Sequence, residues 1–260
     1  PPPISTLFPY TTLFRSALSY MFENLGKPII LTGSQLPIGT LRTDGKENLI
    51  TAVEIAASKI NGYSMVPEVC IYFDFELFRG NRAVKRDADL FSAFISVNYP
   101  ALAVAGVDIK YRKELINYPD RNKLVKLNKQ FDDNVVILKM FPGINRNVFN
   151  SIFTLSGLKG IVLETFGAGN VPTASWVTDT VKRAIENDVI VLNVTQCQGG
   201  RVLMGQYETS LELLKAGVVS GKDMTTEAAI TKLMFLLGQG YSTSQIKMNL
   251  NRNLRGEISK

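Results

Sequence analysis

The chain has 260 residues, of which 45% are hydrophobic and 20% charged, with 29 Lys and Arg against 23 Asp and Glu for a formal net charge of +6. That length can bury a sizeable core, and the ordinary composition excludes the disordered and disulfide-scaffold classes. There is no His, so Ser-His-Asp and Cys-His hydrolysis are excluded, and with only Cys70 and Cys197 as thiols a zinc centre is disfavoured.

The basic residues are spread along the chain without a helical stripe or stacking motifs, which argues against nucleic acid as a partner. Cys70 in PEVCIYF and Cys197 in IVLNVTQC lie in apolar stretches, where a free thiol is expected to be a small buried hydrophobe in a reducing compartment. No apolar run is long enough for a membrane span and the N-terminus lacks a signal-peptide pattern, so a cytoplasmic protein without membrane contact is expected.

In chain order, Thr6 to Ser16 read TLFPYTTLFRS, which resembles a one-frame translation of a common short-read sequencing adapter. Pro1 to Ser16 is accordingly set aside from the fold as an assembly artefact. From Ala17, ALSYMFENL predicts a helix stopped by Gly26 and Pro28, and PIILTG a buried strand. A second helix follows Asp44, whose side chain is expected to cap it with Glu47 three residues on, and it places Leu49, Val53, Ala56 and Ile60 on one face. VCIYF is the next strand, followed by a long polar loop, FELFRGNRAVKRDAD. The charged stretch 111–133 reads as an interdomain linker between an N-terminal domain over 17–110 and a C-terminal one over 134–260. In the latter, VVILKM, GIVLET and VIVLNV are buried-strand runs separated by helices around Val148 to Leu155 and Trp176 to Ile185. Helices over Met224 to Leu237 and Thr243 to Leu250 complete a strand-helix-strand pattern.

Parallel sheets bind ligands at the carboxyl ends of their strands. The loops Thr32 to Pro37, Glu76 to Asp89, Phe166 to Pro172 and Thr195 to Gly205 are therefore where chemistry is sought. Ser34 and Gln35 in TGSQLP offer polar groups to a small ligand, although alone the segment reads as a tight turn at Gly33. RGNRAVKRDAD reads first as a solvated charge run; its sharper reading is that Lys85, beside a carboxylate in a cleft, passes protons to or from a hydroxyl nucleophile. FGAGNVP follows a strand as a dinucleotide fingerprint does, but Pro172 stands at the third glycine position, which disfavours a nucleotide-dependent oxidoreductase. Asn170 in that turn presents a carboxamide to a polar substrate or a neighbouring subunit.

Taken together and in this order, ALSYMFENLGKPIILTGSQLP, RTDGKEN, RGNRAVK, ETFGAGNVP, NVTQCQGGRVLMGQY and NLRGEIS resemble the type I, cytosolic bacterial L-asparaginases, from about Ala17 to the end. The resemblance implies two Rossmann-like or flavodoxin-like α/β domains with mainly parallel sheets, the larger N-terminal one incomplete here. It also implies a homodimer or homotetramer, and hydrolysis of L-asparagine to L-aspartate and ammonia through a threonine nucleophile, without metal or cofactor. The family's TGGTI-like and GTDT-like motifs have no counterpart from Ala17 onward, and the chain by itself is expected to be inactive. By resemblance, Lys85 matches the lysine that pairs with the Thr-Asp of the GTDT segment, Ser34 and Gln35 line the amide side of the substrate pocket, and Asn170 approaches a neighbouring subunit's site. A non-catalytic amino-acid-binding module of the same fold is the alternative.

Overall fold

A computed structural model describes residues 10–259. They divide into two compact units, with the boundary between Lys129 and Gln130.

The first unit opens with helix α1 (Tyr10–Met21), followed by β1 (Phe22–Glu23), β2 (Ile29–Leu31), α2 (Gly45–Ala57), the short β3 (Lys59–Ile60) and β4 (Tyr63–Ser64), and β5 (Val69–Phe73). Then come β6 (Glu76–Arg79), β7 (Val84–Lys85), β8 (Phe94–Ile95), β9 (Ala103–Ala105), β10 (Ile109–Tyr111) and β11 (Lys126–Leu127). Five of these strands form a sheet in the order β10-β9-β6-β5-β2. β2 runs parallel to β5, with Ile29 opposite Val69, whereas β5–β6, β6–β9 and β9–β10 are antiparallel. Every residue of β5 is buried. Its alternate side chains serve two cores: Cys70 and Tyr72 pack with Ile55, Leu77 and Leu102, and Ile71 and Phe73 with Phe78, Phe94 and Ala101. This is the continuous apolar run expected of a strand covered on both faces.

Several sequence expectations change here. The helix expected from Ala17 begins at Tyr10, inside the segment set aside, and ends at Met21 because the next residues pair as a strand with β11; residues 1–9 lie outside the described residues. On this helix Arg15, Ser16 and Tyr20 are buried while Phe14 is 56% exposed. The face of α2 was misassigned. Gly45, Asn48, Ala52 and Ile55 are buried, Leu49 and Val53 are exposed, and Ile60 has left the helix for β3. Two stripes run along this helix, and the buried one is that of Gly45, Asn48, Ala52 and Ile55. The loop after VCIYF contains β6, joined to β5 by a two-residue turn in which Asp74 and Phe75 have φ of 49° and 66°, the left-handed pair a tight hairpin requires. The stretch 111–133 is folded into the first unit as far as β11, because Ile116 is buried in its core and Asn117 N–H donates to Glu68.

The second unit contains β12 (Val135–Lys139), α3 (Arg146–Phe153), β13 (Gly160–Thr165), α4 (Ser175–Glu186), β14 (Ile190–Thr195), α5 (Glu208–Ala216), β15 (Val219–Ser220), α6 (Thr226–Gly238) and α7 (Thr243–Leu250). The sheet β12-β13-β14-β15 is parallel throughout, and the strand runs VVILKM, GIVLET and VIVLNV fall where the sequence puts them. β15 and α5 were not anticipated. Ile161, Leu163 and Val191 pack with Phe149 and Phe153 of α3, Val177 and Val181 of α4 and Leu213 of α5. Burying each such side chain contributes about 1.5–3 kcal/mol. Helix α6 covers the sheet so closely that a Cβ at Gly160 would meet Leu233 Cδ2 at 2.7 Å. Its Lys232 and the Glu257 of the terminal NLRGEIS segment form an ion pair of 2.6 Å, with both side chains fully buried. Cys70 is buried as expected, but Cys197 is exposed because β14 ends two residues before it.

Candidate active site

In the first unit the geometry centres on the exit of β2. Thr32 Oγ1 donates to Tyr72 O at 2.9 Å, tying the end of β2 to β5. Beyond it, the TGSQLP turn is held by two side chains from the start of α2. Asp44 does not cap the helix with its side chain, contrary to expectation. Its carboxylate instead accepts the N–H groups of Gln35 and Leu36, at 3.0 and 3.1 Å. Asn48 Nδ2 donates to Gly33 O and to Asp44 Oδ2, and Asn48 Oδ1 accepts from Asp74 N–H. One buried carboxamide therefore links the β2 exit, α2 and the β5–β6 turn. Ser34 packs against Gly45, where an added Cβ would lie 3.1 Å from Ser34 Cβ.

Lys85 ends β7, opposite Phe94 of β8, with its Nζ 6.0 Å from the Phe94 ring centroid. The loop after it is shaped by Asp87, whose Oδ1 accepts the N–H groups of Asp89 and Leu90. Those same N–H groups hold the Asp87 carboxyl below the usual carboxylate range. Into this loop reaches Gln35, its Nε2 donating to Ala88 O at 2.9 Å and Leu90 O at 2.8 Å. The structure thus brings the Ser34–Gln35 turn and the Lys85 hairpin together. It does so by using the Gln35 amide group as a brace between loops, so its N–H donors are engaged within the chain.

The RGNR turn that delivers Lys85 is fixed from below. Arg79 makes a bidentate pair with Glu68, at 2.6 and 3.0 Å, and donates to Leu115 O. Arg79 and Arg82 both lie over the Tyr99 ring, at 4.5 and 5.1 Å. From α1, Arg15 Nε donates to Gly80 O at 2.7 Å and its Nη2 to Ala83 O. Sequence reasoning read these arginines as a solvated charge run, yet Arg79 and Arg82 are each only 2% exposed. Arg79 is turned inward as the last residue of β6, where it meets Glu68.

Asn170 belongs to the second unit. The FGAGN turn closes on itself through reciprocal backbone bonds between Phe166 and Asn170, and Asn170 Oδ1 accepts from Thr209 Oγ1 at 3.2 Å. The buried Asn193 supports the turn, donating to Gly169 O and accepting from Thr165 Oγ1. Gly169 has φ of 113°, and a Cβ there would lie 2.8 Å from Val202 Cγ1, so no other residue fits. In the Thr195 to Gly205 loop, Gln196 Nε2 donates to Met140 O and Glu164 O, tying three strand exits together.

Residues 10–117 match the family model "Asparaginase, N-terminal", and residues 134–250 match "Glutaminase/Asparaginase C-terminal domain". The chain is also 39% identical to L-asparaginase 1 of Escherichia coli (strain K12) over 244 residues, which is 94% of this chain and 70% of that protein. The chain belongs to the asparaginase family. Among solved structures it is similar to L-asparaginase I from Vibrio cholerae, with a TM-score of 0.87 and 40% identity, covering 97% of this chain and 74% of that one. It is likewise 41% identical to the mouse 60 kDa lysophospholipase over 94% of its own length but only 42% of that protein. The chain thus spans less than half the length of this relative.

The two-unit α/β architecture of the asparaginases is the one described above. Among the described residues no helix is long and apolar enough to cross a membrane, and no group of three or more Cys, Asp or Glu could hold a metal ion.

The tie from Asp44 to the turn makes a direct prediction. Asp44→Ala leaves the Gln35 and Leu36 amides without their acceptor and is expected to destabilise the first unit by about 1–3 kcal/mol. Amide exchange at Gln35 and Leu36 should accelerate by the same free energy. Unchanged exchange at both positions would show that the turn does not depend on Asp44.

Proposed function

We propose that the whole protein is a cytoplasmic amidohydrolase that converts L-asparagine to L-aspartate and ammonia, acting as a homodimer or homotetramer without metal or cofactor. The observation that carries this reading is the bracing of the β2-exit turn against the Lys85 hairpin by Gln35, within a chain of the asparaginase family. Lys85 is the proton-handling residue, tuning a threonine hydroxyl for attack on the side-chain amide carbon and returning the proton to the departing ammonia. Attack forms the ester bond of an acyl-enzyme and breaks the C–N bond; water then cleaves the ester. Ser34 and Gln35 line the amide end of the substrate pocket, and Asn170 serves a neighbouring subunit's site. None of the motifs from Ala17 onward supplies the threonine. The test is ammonia release from L-asparagine by the chain as it stands and by a protein carrying TGGTI-like and GTDT-like segments ahead of Ala17. Release by the second and not the first is expected; release by neither overturns the reading.

A further inference from the structure

The first unit carries a pocket of about 570 Å³ that the proposed reaction does not use. It lies at the opposite end of the sheet from the site. Lys27 and Pro67, which line it, stand two residues before β2 and β5 respectively, whereas the candidate site is built on the exits of those strands. One wall is the β3–β4 hairpin with Tyr63. The other is the segment 118–125, pinned across the opening by Asn24, whose Nδ2 donates to Asp120 O and Lys123 O while its Oδ1 accepts Asp120 N–H. β1–β11 pairing and the Asn128 N–H bond to Met21 O close the far end. The walls of the opening are thus held by backbone and side-chain bonds.

Its chemistry is amphipathic. Phe22, Leu25, Tyr63, Pro67 and Tyr118 supply an apolar interior. Tyr63 and Tyr118 are about half exposed, at 51% and 49%, an arrangement that leaves aromatic surface in water until something covers it. Around this surface stand Lys27, Arg121 and Lys123, with Asp120 the sole acid in the lining. Asp120 is already engaged, by Lys123 Nζ at 3.4 Å and by Asn122 N–H. The Arg121 guanidinium is stacked 3.8 Å from the Tyr63 ring centroid, which fixes its plane and leaves its edge N–H groups directed outward from the ring. Two cations beyond the paired one thus border an aromatic interior.

We infer that this pocket binds a small organic anion with an apolar, preferably aromatic, body and a single carboxylate or phosphate head, the body lying among Phe22, Tyr63 and Tyr118 and the head meeting Arg121 and Lys27. The inference is independent of the catalytic reading, since it concerns the other end of the sheet.

The test is isothermal titration of the chain with 2-naphthoate, 2-naphthyl phosphate and the oppositely charged 2-naphthylmethylammonium. Saturable one-to-one binding of at least one anion is expected, at least about tenfold tighter than the cation; the ratio of the two anions identifies the head. Arg121→Glu should weaken anion binding about tenfold, the equivalent of one charge-assisted contact. Gly26→Phe places a ring in the pocket lining, where an added Cβ meets nothing within 4 Å, and should abolish binding with an unchanged circular dichroism spectrum. Lys182→Glu, an exposed charge reversal on α4, should bind as the parent does. The inference is overturned if neither anion saturates at millimolar concentration, if the cation binds equally well, or if Arg121→Glu binds the anions as the parent does.

Discussion

Replacing Glu257 by alanine is expected to destabilise the second unit by about 3–5 kcal/mol, because it strands a lysine in the protein interior. Lys232 and Glu257 are both fully buried. The Lys232 ammonium also donates to Leu250 O and Arg252 O, and the Glu257 carboxylate accepts the N–H groups of Leu254 and Arg255. Together they fasten the terminal NLRGEIS turn beneath α6. Burial already lowers the proton affinity of Lys232, and Glu257 acts in the opposite direction. Without the carboxylate the folded-state value falls further below the unfolded one. A depressed lysine favours the folded state increasingly as pH rises, so the deficit of Glu257→Ala should shrink as pH is raised toward the ordinary lysine range. Trp176, the sole tryptophan and a residue of α4, reports this unit alone during urea unfolding. A deficit below about 1 kcal/mol, or one that grows with pH, would contradict the assigned role of the pair.

Lys85→Ala is the substitution with the largest expected effect on turnover. Removing a positioned proton-transfer group typically costs roughly 100- to 10,000-fold in rate, and in a chain without His Lys85 is the one lysine of that hairpin. Lys85→Arg keeps the charge but cannot give up its proton at neutral pH, so it should be nearly as impaired as the alanine variant. Substrate binding, by contrast, should change little in either, because Asp44 and Asn48 hold the Ser34–Gln35 turn. If kcat is preserved in Lys85→Arg, Lys85 acts as a fixed charge only.

The parts of the fold that were legible in the sequence are those where a single physical requirement dominates. Strands of a parallel sheet, and a central strand covered on both faces such as β5, are apolar along their length, so VVILKM, GIVLET, VIVLNV and VCIYF stand out as short unbroken runs. What was not legible turned on a choice between equivalent patterns or on partners distant in sequence. Helix α2 offers two apolar stripes; periodicity alone does not say that Ala52 and Ile55 face the sheet while Leu49 and Val53 face water. β6 was concealed because its charged end residue, Arg79, is neutralised by Glu68 from before β5. Asp44 looked like a cap because Asp before a helix usually is one, whereas here its carboxylate turns back to the TGSQLP amides. The Lys232–Glu257 pair left one trace, a lone lysine in the apolar helix sequence AAITKLMFLL, which pointed to a buried charge without naming its partner.

For the candidate site, sequence motifs led to Ser34, Gln35 and Lys85, and the fold gives the first two a common frame with the third. The residues missed were those that hold the frame: Asn48, Arg79, Arg82 and Tyr99. Their side chains work across elements, so no local spacing announces them.

The proposed hydrolysis of the asparagine side-chain amide is tested by following L-asparagine by proton NMR in the presence of the protein carrying the TGGTI-like and GTDT-like segments, beside its Lys85→Ala variant. Aspartate and ammonium are expected in equal amounts with the parent, and at most about one hundredth of that rate with the variant. Asparagine that stays unchanged, or a variant as fast as the parent, would contradict the proposal.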